Sequence, residues 1–203
     1  VGDGAKFDVF GTTARLGLPG FQWTMERMRS TFLCCTVFNQ NIQIPDGVTS
    51  MFTTFSGCSN FNQNILIPDS VTNMTSTFSK CSNFNQNILI PNKVTDMSAT
   101  FQNCSTFNQN ILIPDSVTDM STAFQDCSTF NQPNMYIFSQ NITDMSMAFQ
   151  GCHINNIHIP ISVPKDTSNF MYNCLVNGNT GITFPAANIF NDLPVDVEQW
   201  PPV

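Results

Sequence analysis

The side chains best suited to chemistry in this sequence are its cysteines and its histidines. Eight cysteines occur among the 203 residues, and thiols can pair as disulfides, bind metal ions or act as nucleophiles. The two histidines, His153 and His158, stand close to Cys152. Neither a second cysteine nor a carboxylate lies near them at the spacing that a zinc site needs, so we predict no metal site there.

Aspartates recur between the apolar segments. They are Asp69, Asp96, Asp115, Asp119 and Asp144. They lack the Asp-x-Asp-x-Asp spacing of a calcium loop, so capping of turns is the better interpretation. An enzyme needs a nucleophile, a base and oxyanion donors that converge in a pocket, whereas this chain offers repeated columns. We therefore predict that the protein is not an enzyme and uses no cofactor.

The spacing of the cysteines is more informative than their chemistry. One set follows at intervals of 23 residues: Cys35, Cys58, Cys81, Cys104 and Cys127. Disulfide frameworks of small secreted proteins are denser and less regular. We predict that this set forms a structural ladder of buried free thiols that pack as small apolar side chains. Cys34 lies off the interval and is expected to be the exposed thiol.

Alignment on the cysteines reveals a repeat with seven recurring apolar positions. One copy reads Phe78, Cys81, Phe84, Ile88, Ile90, Val94 and Met97. These side chains should point inward, each contributing about 1.5 to 3 kcal/mol on burial. Ordering the 23 residues of one copy costs roughly 35 kcal/mol. A single copy therefore cannot fold alone, and the period of about 20 to 50 residues is typical of stacked units.

The sequence predicts an α/β or mainly β repeat solenoid, a leucine-rich-repeat-like stack of about seven coils. In three successive coils an Ile-Leu-Ile run precedes a proline, before Pro68, Pro91 and Pro114. β-Branched residues favour a strand and proline ends it, so these runs should form a short parallel sheet. The opposite side, including Met74 to Phe78, is expected to be irregular or one turn of helix.

Composition divides the chain into three parts. Residues 1–27 are rich in glycine and are predicted to form an N-terminal cap or junction. Residues 28–185 carry the repeat and should form the leucine-rich-repeat solenoid. Residues 186–203 are rich in proline and acidic residues, which is typical of a tail or linker.

Three short motifs recur at fixed offsets in consecutive coils. In one coil they are residues 71–74 (Val-Thr-Asn-Met), residues 78–81 (Phe-Ser-Lys-Cys) and residues 84–86 (Phe-Asn-Gln). They resemble the BspA-like leucine-rich repeat of bacterial surface proteins, in its short, 23-residue variety. The Trp-Asp step that many of those repeats carry after Phe-Asn-Gln is absent. The resemblance implies export or display and attachment to proteins, cells or surfaces, and related repeats in viral proteins also suggest a virion surface.

The middle residue of each predicted strand should face outward. This strand-face column reads Gln43, Leu66, Leu89, Leu112, Tyr136, His158 and Thr183. Exposed apolar patches often mark interaction sites, so we predict a ligand-binding surface here. The alternative is a face covered by a flanking segment or by an adjacent subunit.

Asparagines also recur in columns. One column is Asn62, Asn85, Asn108 and Asn131, and another is Asn64, Asn87, Asn110 and Asn134. Stacked amides can hydrogen-bond from coil to coil, so both columns are predicted to be structural ladders. Sugar binding is the alternative for these amides.

Charge and hydropathy exclude several kinds of partner. Seven basic against 14 acidic residues give a net charge of −7, which disfavours nucleic acid. Apolar runs stay far below the roughly 20 residues that cross a bilayer, so no membrane span is predicted. We expect a non-catalytic, surface-displayed binding or adhesion module for another protein or a surface glycan. Its expected location is extracellular, at a cell surface or on a virion surface.

Two alternatives remain open. The chain could be a structural or decoration component of a virion or extracellular assembly, which docks or self-associates through residues 1–27 and 186–203. Ice binding is suggested by one threonine column: Thr49, Thr72, Thr95, Thr118 and Thr143. The neighbouring column contains acidic residues, which suit a flat, weakly hydrated face poorly.

Overall fold

A computed structural model describes residues 27–132, 135–136, 141–153 and 157–158 of the chain. In these residues the chain winds as a stack of coils, each beginning at a fully buried methionine. The coils are residues 28–50, 51–73, 74–96, 97–119 and 120–144, and a further coil begins at Met145. Isolated parallel bridges join the last residues of successive coils, such as Asn73 with Asp96 and Asp96 with Asp119. A repeat solenoid, as predicted, is therefore the architecture of this part of the chain.

The backbones of successive coils are joined most regularly between the first methionine and the cysteine of each coil. Alternate amides donate to the next coil: Met74, Ser76, Phe78 and Lys80 bond to the carbonyls of residues 96, 98, 100 and 102 at 2.7 to 2.9 Å. The amides of Thr77 and Ser79 instead donate three residues back within their own coil. Every backbone amide from Met74 to Cys81 thus has a partner: that of Thr75 donates to the side-chain oxygen of Asn73 at 3.2 Å, and the others donate to backbone carbonyls.

Of the two alternatives predicted for Met74 to Phe78, irregular or one turn of helix, the structure has the irregular one. Ser76 has a φ of 53° and Lys80 a φ of 61°. L-residues adopt this left-handed conformation singly, so it interrupts a right-handed helix. The apolar pair at i and i+4 is buried all the same, because both side chains face the interior of the stack.

Two columns of stacked phenylalanine rings form the centre of the core. Neighbouring centroids are 5.3 to 5.7 Å apart along Phe32, Phe55, Phe78, Phe101, Phe124 and Phe149. They are 5.7 to 6.0 Å apart along Phe38, Phe61, Phe84, Phe107 and Phe130. In the copy of the repeat that runs from Phe78 to Met97, all seven apolar positions predicted to point inward are buried. This confirms the core assignment.

The Ile-Leu-Ile runs at residues 65–67, 88–90 and 111–113 alternate between buried and exposed side chains, yet none of them is a strand. Strand β1 is Met135–Tyr136 and strand β2 is Ile157–His158. They pair in parallel, Met135 with Ile157 and Tyr136 with His158. No backbone hydrogen bond joins residues 65–67, 88–90 and 111–113 to one another, so the prediction of a sheet through these coils is wrong.

We attribute this difference to the distance between coils on the Ile-Leu-Ile side. The ring centroids beside these runs are 5.8 Å apart between Phe61 and Phe84, whereas those beside the hydrogen-bonded segment are 5.5 Å apart between Phe55 and Phe78. The proline that follows each run also has no amide hydrogen to donate. Side-chain amides, described below, bridge neighbouring coils just before these runs.

A buried threonine column links the coils on the opposite side. The hydroxyl of Thr100 lies 2.9 Å from the carbonyl oxygen of Met74 and 2.8 Å from that of Met97, so that its single hydrogen is shared between the two acceptors. Thr54 and Thr77 repeat this arrangement in earlier coils. This column therefore ties each coil to the preceding one from within the core.

We expect Thr100→Val to lower the free energy of unfolding by about 0.5 to 1.5 kcal/mol, since it keeps the shape and removes the hydrogen-bond donor. Urea unfolding followed by circular dichroism measures the change. Thr95→Val is the matched control, because Thr95 is exposed and its replacement should change stability by less than about 0.5 kcal/mol. Equal losses in the two variants would contradict a stabilising effect of the buried hydroxyl.

Candidate binding face

Three leucines form an exposed line along the stack, which we call the leucine strip. Leu66, Leu89 and Leu112 are 76%, 68% and 56% exposed. The isoleucines on both sides of each leucine are buried, so the predicted outward orientation is confirmed for these three residues. Gln43 occupies the same place in the first coil and is also exposed.

The next two members of the strand-face column, Tyr136 and His158, lie in strands β1 and β2. The register of these strands pairs Tyr136 with His158. In the strand-face column these two residues occupy the position that Leu112 occupies in its own coil. Their side chains lie outside the described part of the structure, as does Thr183. The described part of the column is thus one glutamine followed by three leucines.

An asparagine ladder runs beside the strip, through Asn39, Asn62, Asn85, Asn108 and Asn131. The side-chain oxygen of Asn62 accepts hydrogen bonds from the backbone amide of Asn85 at 2.9 Å and from the side chain of Gln86 at 3.0 Å. A backbone N–H can only donate, so it fixes the orientation of the asparagine amide. The NH₂ group of Asn62 therefore points away from this bond.

The glutamines that follow the ladder asparagines are functional candidates that the sequence interpretation missed. Gln63, Gln86 and Gln109 each donate Nε2 to the ladder asparagine of the preceding coil. Their carbonyl oxygens make no hydrogen bond with the described residues. Each of these coils therefore presents one amide NH₂ group and one amide oxygen without a protein partner. The sequence signal was the glutamine that follows every ladder asparagine.

The second asparagine column is not a ladder. Asn64, Asn87 and Asn110 are exposed and make no hydrogen bond with one another or with other described residues. Asn134 lies outside the described residues. Together with the ladder amides and the leucine strip, these side chains form what we call the amide–leucine face: residues 62–66, 85–89 and 108–112.

The amide–leucine face lies in an uncharged zone of an acidic protein. No charged residue occurs in residues 36–45, 59–68, 82–91 and 105–114. Carboxylates reappear directly after the prolines, at Asp69 and Asp115. A ligand on this face therefore meets amides and methyl groups before it meets any charge.

The cysteine column packs inside the stack. Cys58, Cys81, Cys104, Cys127 and Cys152 are buried, Cys35 is partly buried, and all are free thiols. Each buried thiol donates to a phenylalanine carbonyl of the preceding coil, as from Cys104 to Phe78 at 3.0 Å. Burial and the neighbouring thiols raise the pKa of Cys58 to about 12 and raise that of Cys104 as well. Cys34 is exposed, as predicted.

The acidic and threonine columns serve the stack itself. Asp96 accepts hydrogen bonds from the amide and the hydroxyl of Ser98 at 2.9 and 2.6 Å, and Asp119 binds Ser121 in the same way. Among the described residues, no cluster of histidine, cysteine and acidic side chains could hold a metal ion. The exposed Thr95 donates its hydroxyl to the carbonyl of Thr72 at 3.3 Å. Both columns thus use their polar groups within the protein.

No helix in the described residues has the length and apolar character needed to cross a membrane. Of the cap and tail segments predicted to dock, residues 1–27 and 186–203, all but Arg27 lie outside the described residues.

Comparison with known proteins gives a family and a distant structural likeness. A family model described as "Mycoplasma protein of unknown function, DUF285" matches residues 22–89 and 89–173. A crystal structure of a leucine-rich repeat protein from Bacteroides ovatus is similar at 20% sequence identity and a TM-score of 0.37. That similarity covers 65% of this chain and 46% of that chain, so the chain spans less than half of that structure. No curated protein matches the sequence.

Proposed function

The chain belongs to the family described as "Mycoplasma protein of unknown function, DUF285", and for this member we propose, from the geometry of its exposed face, a non-catalytic binding module. Its amide–leucine face attaches to another protein or to a surface glycan. The observation that carries the proposal is the leucine strip, whose members are 56 to 76% exposed. Full burial of a leucine contributes about 1.5 to 3 kcal/mol, so a ligand that covers the strip gains stabilisation that the free protein lacks.

Core packing does not require leucine at these positions. Gln43 occupies the equivalent place in the first coil, where the flanking Ile42 and Ile44 still pack against the core. An apolar side chain that the fold does not need, repeated in line along one face, is typical of an interaction surface.

We further propose that the module acts outside the cell, at a cell surface or on a virion. Support comes from the Val-Thr-Asn-Met, Phe-x-x-Cys and Phe-Asn-Gln motifs, which resemble those of BspA-like surface proteins. The tandem matches to one family model over residues 22–173 support a repeat family.

Retention of the full chain on coated surfaces tests the binding function. The surfaces carry extracellular-matrix proteins, neutral polysaccharides or anionic polysaccharides. We expect the triple variant Leu66→Ser, Leu89→Ser, Leu112→Ser to bind at least about tenfold more weakly wherever the parent chain binds, because a central apolar contact is commonly worth more than 1 kcal/mol.

The double variant Leu33→Ser, Val37→Ser is the matched control, since both residues are exposed and apolar but lie outside the amide–leucine face. It should bind as the parent does. Undiminished binding of the triple variant would sink the proposed function, and so would failure of the parent to bind any of the surfaces.

A further inference from the structure

We propose that the ligand of the amide–leucine face is a neutral, extended polysaccharide, an inference that rests on the binding function proposed above. Four properties of the face carry it: the absence of charge, the outward amide groups, the leucine methyl groups and the repeat along the stack.

The absence of charge is local, because the whole chain has a net charge of −7. Residues 59–68, 82–91 and 105–114 contain no charged side chain. Nucleic acids and most protein surfaces bring charges that need partners, and a charge desolvated without a partner is costly. A neutral polymer has no charged groups that must lose their water on binding to this face.

The free amide groups of the face provide the hydrogen-bond donors and acceptors that sugar hydroxyls need. Asn85 and Gln86 are half-buried, and the ladder bonds leave the NH₂ group of Asn85 and the carbonyl oxygen of Gln86 without a hydrogen-bond partner among the described residues. A hydroxyl both donates and accepts, so a single hydroxyl can bond to an asparagine NH₂ group and to a glutamine oxygen. Asn87, exposed in the same coil, adds a further donor and acceptor.

The leucines supply the apolar contact. One face of a pyranose ring presents mainly C–H groups, which pack on methyl groups and are removed from water as other apolar surface is. Leu89 lies two residues from Asn87 in the sequence, with the buried Ile88 between them. Each coil therefore offers amide groups beside one leucine side chain, as a sugar offers hydroxyl groups beside C–H surface.

The repeat favours a polymer over a single sugar. The same set of side chains recurs in the second, third and fourth coils, and the adjacent phenylalanine centroids are 5.8 and 6.0 Å apart. In an extended chain of linked hexopyranoses, each sugar adds about the length of one pyranose ring, which is comparable to the spacing between coils. Successive sugars can then meet successive coils, and weak contacts add through one linked ligand.

Native gel electrophoresis in gels that contain dissolved polysaccharide tests the inference with the full chain. The neutral probes are hydroxyethylcellulose, mixed-linkage β-glucan, galactomannan and dextran, and carboxymethylcellulose is the anionic comparison to hydroxyethylcellulose. We expect retardation in at least one neutral gel and none in carboxymethylcellulose. Asn87→Asp should weaken that retardation at least fivefold, because it converts a donor into a charged acceptor.

Asn92→Asp is the matched control for Asn87→Asp. Both asparagines are exposed and belong to the same coil, and Asp69 and Asp115 stand at the position of Asn92 in the neighbouring coils. This variant adds the same charge just outside the amide–leucine face and should leave the retardation unchanged.

Three results would overturn the inference. They are migration unaffected by every neutral polysaccharide, equal retardation in carboxymethylcellulose, and equal effects of Asn87→Asp and Asn92→Asp. If the chain instead binds immobilised protein in a manner that depends on the leucine strip, the binding function stands and the polysaccharide inference alone fails.

Discussion

Replacement of Phe84 by alanine is expected to lower the free energy of unfolding by about 3 to 5 kcal/mol, the usual loss for a large aromatic side chain removed from a core. The ring is fully buried. It stacks with four others, at centroid distances of 4.6 Å to Phe78, 5.8 Å to Phe61, 6.0 Å to Phe107 and 6.4 Å to Phe101. In a stack stabilised by nearest-neighbour contacts, its loss weakens the coil interfaces on both sides.

Urea unfolding monitored by far-ultraviolet circular dichroism measures this change. Leu89→Ala is the control, because that leucine is 68% exposed, and its replacement should cost less than about 0.5 kcal/mol. A loss below about 1 kcal/mol for Phe84→Ala would contradict the ring stack as the centre of the core.

Raising the pH above about 9 is expected to destabilise the protein steeply. Unfolded thiols ionise near the ordinary value of 9.0, whereas burial raises the pKa of Cys58 to about 12 in the folded state. The pKa values of Cys81, Cys104, Cys127 and Cys152 are also raised by burial. Above the ordinary value the folded state therefore holds more protons than the unfolded state, and stability falls as the pH rises.

The size of the effect follows from proton linkage. Each such thiol lowers the free energy of unfolding by about 1.4 kcal/mol per pH unit above its unfolded pKa, and the contribution is constant below it. The five buried thiols together give a slope approaching roughly 7 kcal/mol per pH unit. Urea unfolding at successive pH values, with a reductant present, measures the slope.

Cys104→Ser tests the origin of the slope. Serine can still donate a hydrogen bond towards the carbonyl of Phe78, which Cys104 binds at 3.0 Å, but it does not ionise in this range. The variant should lose about 1.4 kcal/mol per pH unit from the slope, whatever its stability at neutral pH. A parent stability that stays constant from roughly pH 8 to pH 11 would show that the thiols do not control alkaline unfolding.

Much of the candidate binding face could be predicted from the sequence. The recurrence of leucine between two isoleucines placed Leu66, Leu89 and Leu112 on the outside, and the structure agrees. The free groups of the face could not be predicted in the same way. Whether the oxygen or the NH₂ group of each asparagine amide stays free depends on a backbone donor in the next coil. The spacing of residues in the sequence does not reveal that hydrogen bond.

The sequence by itself determined the period, the buried positions and the columns, because side chains that recur every 23 residues must meet their equivalents once the chain stacks. Only the tertiary structure decided where the backbones of successive coils bond to each other. They do so along the irregular segment from Met74 to Cys81 rather than along residues 88–90. The physical reason is that a burial pattern records which way side chains face, whereas backbone hydrogen bonds depend on the distance between coils.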